Sequence, residues 1–167
     1  MTDQQTHDEV FVPRLKDSDP VVHLVAKWIA DAGYTVEVPE LRISPTPDQW
    51  SEYSDQGDMR VWGERVHRVE VKHVPAGGAF TCASDWPFKS FIICKRRAFD
   101  DAKPKPTFFV HVNKPMTHVG LTLASSWIRW TVKPQMDRAV NRAQETYFAP
   151  TDCVLFHPLS DPFPFIL

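Results

Sequence analysis

Gly57-Asp58-Met59-Arg60-Val61-Trp62, then Gly63-Glu64-Arg65, then Val66-His67-Arg68-Val69-Glu70-Val71-Lys72-His73-Val74, is the stretch whose reading decides the fold. Two runs of alternating apolar and polar residues flank a short turn containing glycine, the pattern of a β-hairpin. Side chains alternate faces along a strand. Met59 and Val61 on the first arm and Val69 and Val71 on the second therefore share one apolar face. Asp58, Arg60, Trp62, Arg68, Glu70 and Lys72 share the other. If residues 63–65 form a three-residue loop, opposed residues have numbers that add to 128: Trp62 faces Val66, Arg60 faces Arg68, and Asp58 faces Glu70.

Directly opposed side chains have Cβ atoms roughly 4.5–5.5 Å apart, where like charges repel. Two carboxylates at that distance raise one another's pKa unless a cation lies between them. Hard oxygen ligands in this arrangement suit Mg²⁺. Lys72 lies on the same face two residues beyond Glu70, where an ammonium group can position water or offset charge on a phosphate. Together the three side chains make up what a metal-assisted phosphodiester hydrolase requires.

Working outward, Asp19-Pro20 predicts a helix start, with Val21, Leu24, Val25, Trp28 and Ile29 at helical spacing and a stop near Gly33. Residues 34–38 predict a strand, and residues 40–56 a loop. Beyond the hairpin, the pattern predicts strands over 90–94, 107–113, 118–124 and 127–132. It also predicts a basic helical turn over 95–102 and a helix over 135–145. Residues 1–18 read as a polar arm and residues 19–167 as one domain of mixed α/β (α+β) class.

Gly57-Asp58, eleven intervening residues and Glu70-Val71-Lys72 resemble the PD-(D/E)xK motif of the restriction-endonuclease-like nucleases, with glycine standing where proline is usual. The preceding helix and strand stand where that fold has its first helix and strand. The resemblance covers roughly residues 19–113. It implies a core of helix, three strands, helix and strand, with a central mixed sheet flanked by helices and additional C-terminal strands. It also implies a DNA endonuclease using Mg²⁺ or Mn²⁺, with Asp58, Glu70 and the Val71 carbonyl as metal ligands and Lys72 as the catalytic lysine. Many members carry a further acid on the first helix, where this chain has His23, Lys27 and Asp31 and no glutamate. The chain as a whole also resembles small phage-encoded members, through Trp86-Pro87-Phe88 and His111-Val112-Asn113-Lys114. The alternative reading is a non-catalytic DNA- or protein-binding module, a phage accessory factor, that keeps the nuclease fold.

Charge is distributed unevenly over the 167 residues. Residues 1–59 carry a net −8, residues 60–114 a net +6, and the remainder none. This asymmetry places positive potential beside the acidic motif. Lys89, Ser90, Lys95, Arg96 and Arg97 are candidate nucleic-acid contacts, set against the alternative of a wet helix face. Trp62 and Trp86 are either base-stacking or packing residues. His73 is expected on the apolar face, and Cys82 and Cys94 are expected as buried small hydrophobes. The three cysteines lack Cys-x-x-Cys spacing and, with the seven histidines, suggest no zinc site. No apolar run has the length of a membrane span and no signal sequence is visible, so a cytoplasmic protein is expected, in a host cytoplasm if phage-encoded. Two cuts in a duplex call for two sites, so a homodimer is expected as well. The apolar tail 160–167 is expected to pack either on its own domain or on a partner subunit.

Overall fold

The computed structural model describes residues 9, 12–40, 42–46, 49, 57–137 and 142–167. Helix α1 spans Val12–Asp31 and leads into β1 (Thr35–Glu37), β2 (Met59–Trp62) and β3 (Val66–His73). After β3 come β4 (Ser90–Lys95), a five-residue helix α2 (Arg96–Asp100), β5 (Phe108–Val112) and β6 (His118–Leu123). The chain closes with β7 (Thr131–Asp137), β8 (Arg142–Pro150) and β9 (Val154–Pro158). Six strands form one sheet in the order β1-β2-β3-β5-β6-β9, and three form a second in the order β4-β8-β7. In the larger sheet β3 and β5 run parallel and every other neighbouring pair is antiparallel. The class is therefore mixed α/β.

The hairpin has the expected register. Trp62 pairs with Val66, Arg60 with Arg68 and Met59 with Val69, around the three-residue loop 63–65. Alternation then sorts the side chains into two cores. Met59, Val61, Val69, Val71, Phe108, Val110 and Val112 pack against Val21, Val25, Trp28 and Ile29 of α1. Phe109, from the opposite face of β5, joins Phe91, Ile93, Phe99, Trp130 and Tyr147. The larger sheet is thus covered by a helix on one side. Its other side is covered by a second sheet and the short helix α2, where a helical layer was expected. Burying a Val, Ile or Phe side chain contributes about 1.5–3 kcal/mol, so both faces of β3 and β5 are held firmly.

Three expectations are corrected. Helix α1 begins at Val12, eight residues before the predicted start, with Pro20 inside it. The proline leaves the Lys16 carbonyl without its helical donor, and both Lys16 and Pro20 are exposed, so water can serve instead. Residues 124–129 form a 3₁₀ turn where a strand over 127–132 was expected, and strand β7 begins only at Thr131. Ser126 fixes that turn, donating to the Leu123 carbonyl and accepting from the Trp130 indole. The helix expected over 135–145 is replaced by the β7–β8 ladder, which runs from Thr131↔Phe148 to Asp137↔Arg142. There, paired backbone overrides helix propensity.

The C-terminal tail packs on its own domain. Phe163 is buried against Trp28, Tyr34 and Phe108, and the Trp28 indole donates to the Asp161 carbonyl at 2.7 Å. The residues expected to form the polar arm lie largely outside the described residues, as does most of the loop 47–56. No helix among the described residues is long and apolar enough to cross a membrane.

Candidate active site

Because β2 begins at Met59, the edge of β3 beyond Val69 has no strand to pair with on that side among the described residues. An unpaired backbone donor at a half-buried position is costly. The Asp58 carboxylate takes the place of the missing strand, accepting from the Val71 N–H at 2.6 Å. This carboxylate is therefore fixed beside the backbone next to Glu70, as the opposed register requires. In an extended strand a residue's N–H and carbonyl point to the same side, so the Val71 carbonyl also faces the end of β2.

Glu70 is restrained from its own strand. Arg68, two residues back on the same face, donates to Glu70 Oε1 from Nε at 3.0 Å and from Nη2 at 2.6 Å. Both side chains are largely buried, at 16% and 20% exposure. The expected repulsion between the two carboxylates is thus relieved inside the protein by a guanidinium and a backbone amide. Glu70 Oε2 accepts no hydrogen bond among the described residues.

Gly57 explains how Arg68 reaches its partner. Its φ is +111°, a region that L side chains rarely adopt. A Cβ added there would lie 2.6 Å from Arg68 Nε and 2.7 Å from Cγ. Proline, locked near φ −65°, has no place at this position. The glycine that departs from the usual motif and the Arg68–Glu70 ion pair are one feature.

Lys72 is half-buried on the same face and pairs in register with His111 of β5. Its ammonium makes no hydrogen bond or ion pair among the described residues. His111 is wholly buried. Burial, reinforced by the Lys72 charge, lowers its pKa to about 4, so the imidazole is neutral and lies 2.9 Å from the Ile92 carbonyl through Nε2. Cys94 is close to the same group: burial pushes its thiol up to about 12, with Lys72 working against that and Glu70 adding to it.

Lys72 opens into a cleft of about 850 Å³ between the end of β3 and the second sheet, which His73, Ser90, Lys95 and Asp137 also line. His73, expected on the apolar face, is half-buried at this rim. The chain matches no known family model, no curated protein and no solved structure. What it does has to be argued from the site itself.

The remaining candidates fall into two groups. Ser90 and Lys95 reach the cleft, Lys95 in an ion pair with Asp137 at 2.7 Å. Arg96 pairs with Asp100 and Glu145, and Arg97 with Asp101. Lys89 is exposed away from these pairs. Trp86 is a packing residue, stacked on Phe91 at 3.7 Å and 9° and lying against Gly77. Cys82, expected buried, is exposed on the loop, whereas Cys94 is half-buried. On α1 the acid Asp31 is held by Lys27 at 2.6 Å. Among the described residues no group of three or more His, Cys, Asp or Glu side chains is placed to hold a metal ion.

Two residues, Phe88 at the cleft and Arg68 beside Glu70, were given no role of their own by the sequence reading. Phe88 is 51% exposed, with its ring edge-on to Trp86. Arg68 was assigned to the polar face without a partner, although its i, i+2 spacing from Glu70 was a usable signal.

Proposed function

We propose that this chain is a metal-dependent nuclease that hydrolyses DNA phosphodiesters, with Asp58 and Glu70 holding Mg²⁺ or Mn²⁺ and Lys72 acting beside them. One observation carries the reading: Lys72 is a half-buried cation that makes no ion pair among the described residues, on the same face as a carboxylate pair and open to a cleft. Leaving such a charge unpaired is costly, and a phosphate oxygen would offset the cost. The order of helix, three antiparallel strands and, after β4 and a short helix, a strand parallel to β3 is similar to the core the PD-(D/E)xK motif implies and supports the reading, with β4 as a departure. A phage origin by the same resemblance, a cytoplasmic setting, and a homodimer to make two cuts in a duplex also belong to the proposal.

Two carboxylates suit the metal, because Mg²⁺ keeps several waters and is commonly held by one or two carboxylates plus substrate phosphate. Glu70 Oε2, the Asp58 carboxylate and the Val71 carbonyl are the protein oxygens that would hold it. When bound, the ion supplies Lewis-acid polarisation of the phosphate and a more acidic water. Lys72 orients the attacking water or steadies charge on the phosphoryl oxygens as the P–O bond breaks. Asp58 keeps its place through the Val71 amide, so the carboxylate spacing does not depend on the ion. Neutral His111 spares Lys72 a second positive charge at close range.

A second reading is favoured by the Arg68–Glu70 pair: an internal cation already satisfies Glu70, as suits a non-catalytic nucleic-acid- or protein-binding module. Cleavage of supercoiled and branched DNA with Mn²⁺ separates the two. The nuclease reading expects cutting by the wild type, none by Lys72→Ala, and Mn²⁺ binding that is lost in a folded Asp58→Ala variant. No Mn²⁺ binding and no cutting by the wild type on any DNA would establish the second.

A further inference from the structure

The cleft beside Lys72 has its own chemistry, and its contents say which form of nucleic acid it accepts. Its volume of about 850 Å³ falls in the range of pockets that enclose a small organic ligand, roughly 300–1,000 Å³. That is the scale of a nucleotide or two and not of a duplex. The wall nearest the carboxylates presents Lys72. The Lys95–Asp137 ion pair at the rim brings two opposite charges together, so among the described lining residues Lys72 is the cation that makes no ion pair.

The opposite wall comes from the β7–β8 hairpin, where Gln135 and Gln144 are directly paired and both line the cleft. Gln144 donates to Asp137 through Nε2 at 3.0 Å, which restrains its amide on the cleft wall. Phe88 and Met136, 51% and 55% exposed, complete the lining. Trp86 restrains Phe88 in a T-shaped contact at 5.3 Å and 72°, and half of the Phe88 surface stays open to solvent. An exposed aromatic ring, side-chain amides and a cation within one cleft are the components with which proteins bind unpaired strands.

A duplex hides its base faces and is held mainly through many backbone phosphates. The basic cluster that would supply such contacts is engaged elsewhere: Lys95, Arg96 and Arg97 each lie in an ion pair with an acid of this chain.

We propose that the cleft takes an unpaired strand of nucleic acid, with a base stacked on Phe88 and the neighbouring phosphate at Lys72. The proposal deepens the nuclease reading and rests on it for the direction of the strand toward Asp58 and Glu70. The site would then act on single-stranded segments, flaps or frayed ends.

Fluorescence anisotropy in EDTA tests this without requiring catalysis, using labelled oligothymidylate, oligouridylate and a blunt hairpin duplex. The wild type is expected to bind oligothymidylate at least tenfold more tightly than the duplex. The oligouridylate arm decides whether the strand is DNA or RNA. Phe88→Ala is expected to weaken strand binding about tenfold, as loss of a base–aromatic stack does, whereas Phe88→Tyr retains it. Met136→Glu, an exposed change that places a negative charge on the facing wall, is expected to weaken it as well. Duplex bound as tightly as single strand, or full strand binding by folded Phe88→Ala and Met136→Glu variants, would overturn the proposal. If strand binding depends on Phe88 and no metal-dependent cutting occurs, the nuclease reading fails alone. If cutting depends on Lys72 and strand binding ignores Phe88, the cleft proposal fails alone.

Discussion

Gly57→Ala is a small change with a large expected effect, and the coordinates allow its size to be worked out. The new methyl group would sit at φ +111°, which costs an L residue about 1–3 kcal/mol. It would also lie 2.6 Å from Arg68 Nε, against an ordinary contact of roughly 3.5–4.0 Å. Arg68 must retreat by about 1 Å, which breaks its 2.6 and 3.0 Å bonds to Glu70. Hydrogen bonds to a charged group contribute about 1.5–3 kcal/mol, and the low exposure of this pair keeps that value from being screened away. The combined loss is about 2.5–6 kcal/mol, a fall in melting temperature of at least about 5 °C for a chain of this length. Urea unfolding of wild type, Gly57→Ala, Arg68→Ala and the double variant, in EDTA, isolates the coupling. With Arg68 shortened, the glycine change should retain only its backbone cost, so the two effects fall short of additivity by about 1.5–3 kcal/mol. Additivity within about 0.5 kcal/mol would refute the claim that Gly57 exists to let Arg68 reach Glu70.

Other consequences follow from the same site. Lys72→Met removes a half-buried charge without a partner and is expected to stabilise the metal-free protein by about 0.5–1 kcal/mol while abolishing cutting, the trade-off of a functional residue; a destabilised variant in urea unfolding would contradict this. His111 has its pKa lowered from 6.5 to about 4 by burial, so the unfolded chain binds the extra proton first and native stability falls as pH drops from 6.5 to 4. The loss is about 3 kcal/mol at 1.36 kcal/mol per pKa unit, and comparing the pH dependence of unfolding in wild type and His111→Gln separates it from that of the carboxylates. Cys94, with its thiol pushed up to about 12, is expected to resist iodoacetamide at pH 8, whereas the exposed Cys82 is labelled first; peptide mapping of the alkylated sites checks the order.

What could be read from residues alone divides along a physical line. The hairpin register was legible because Met59, Val61, Val69 and Val71 alternate around a three-residue loop, and one slip would send all four into water. The packed face of α1 was legible for the same reason, since Val21, Val25, Trp28 and Ile29 repeat at helical spacing. Strand β7 carried no such signal: Thr131 through Met136 are all exposed, so no buried face imposes a period of two. Pro134 within it also argued against a strand. The start of α1 was misplaced because Asp19-Pro20 is a good helix opening that the chain uses internally. At the site, Asp58, Glu70 and Lys72 were legible from alternation. The cleft was not, because its far wall is brought in by pairing between β4 and β8, more than fifty residues apart.

The two walls of that cleft belong to structures of very different firmness. Glu70 and Lys72 ride on β3, which is covered on both faces, and Asp58 is tied to it through the Val71 amide, whereas β7 and the outer half of β8 lie open to solvent. In hydrogen exchange the amides of β3 and β5 should be among the last to open, near the global unfolding free energy, and those of 131–137 among the first. A molecule built this way can widen or narrow its groove around different guests while the reactive groups stay at constant spacing. On the proposed reading, substitutions in the hairpin would change what enters without moving Glu70 or Lys72.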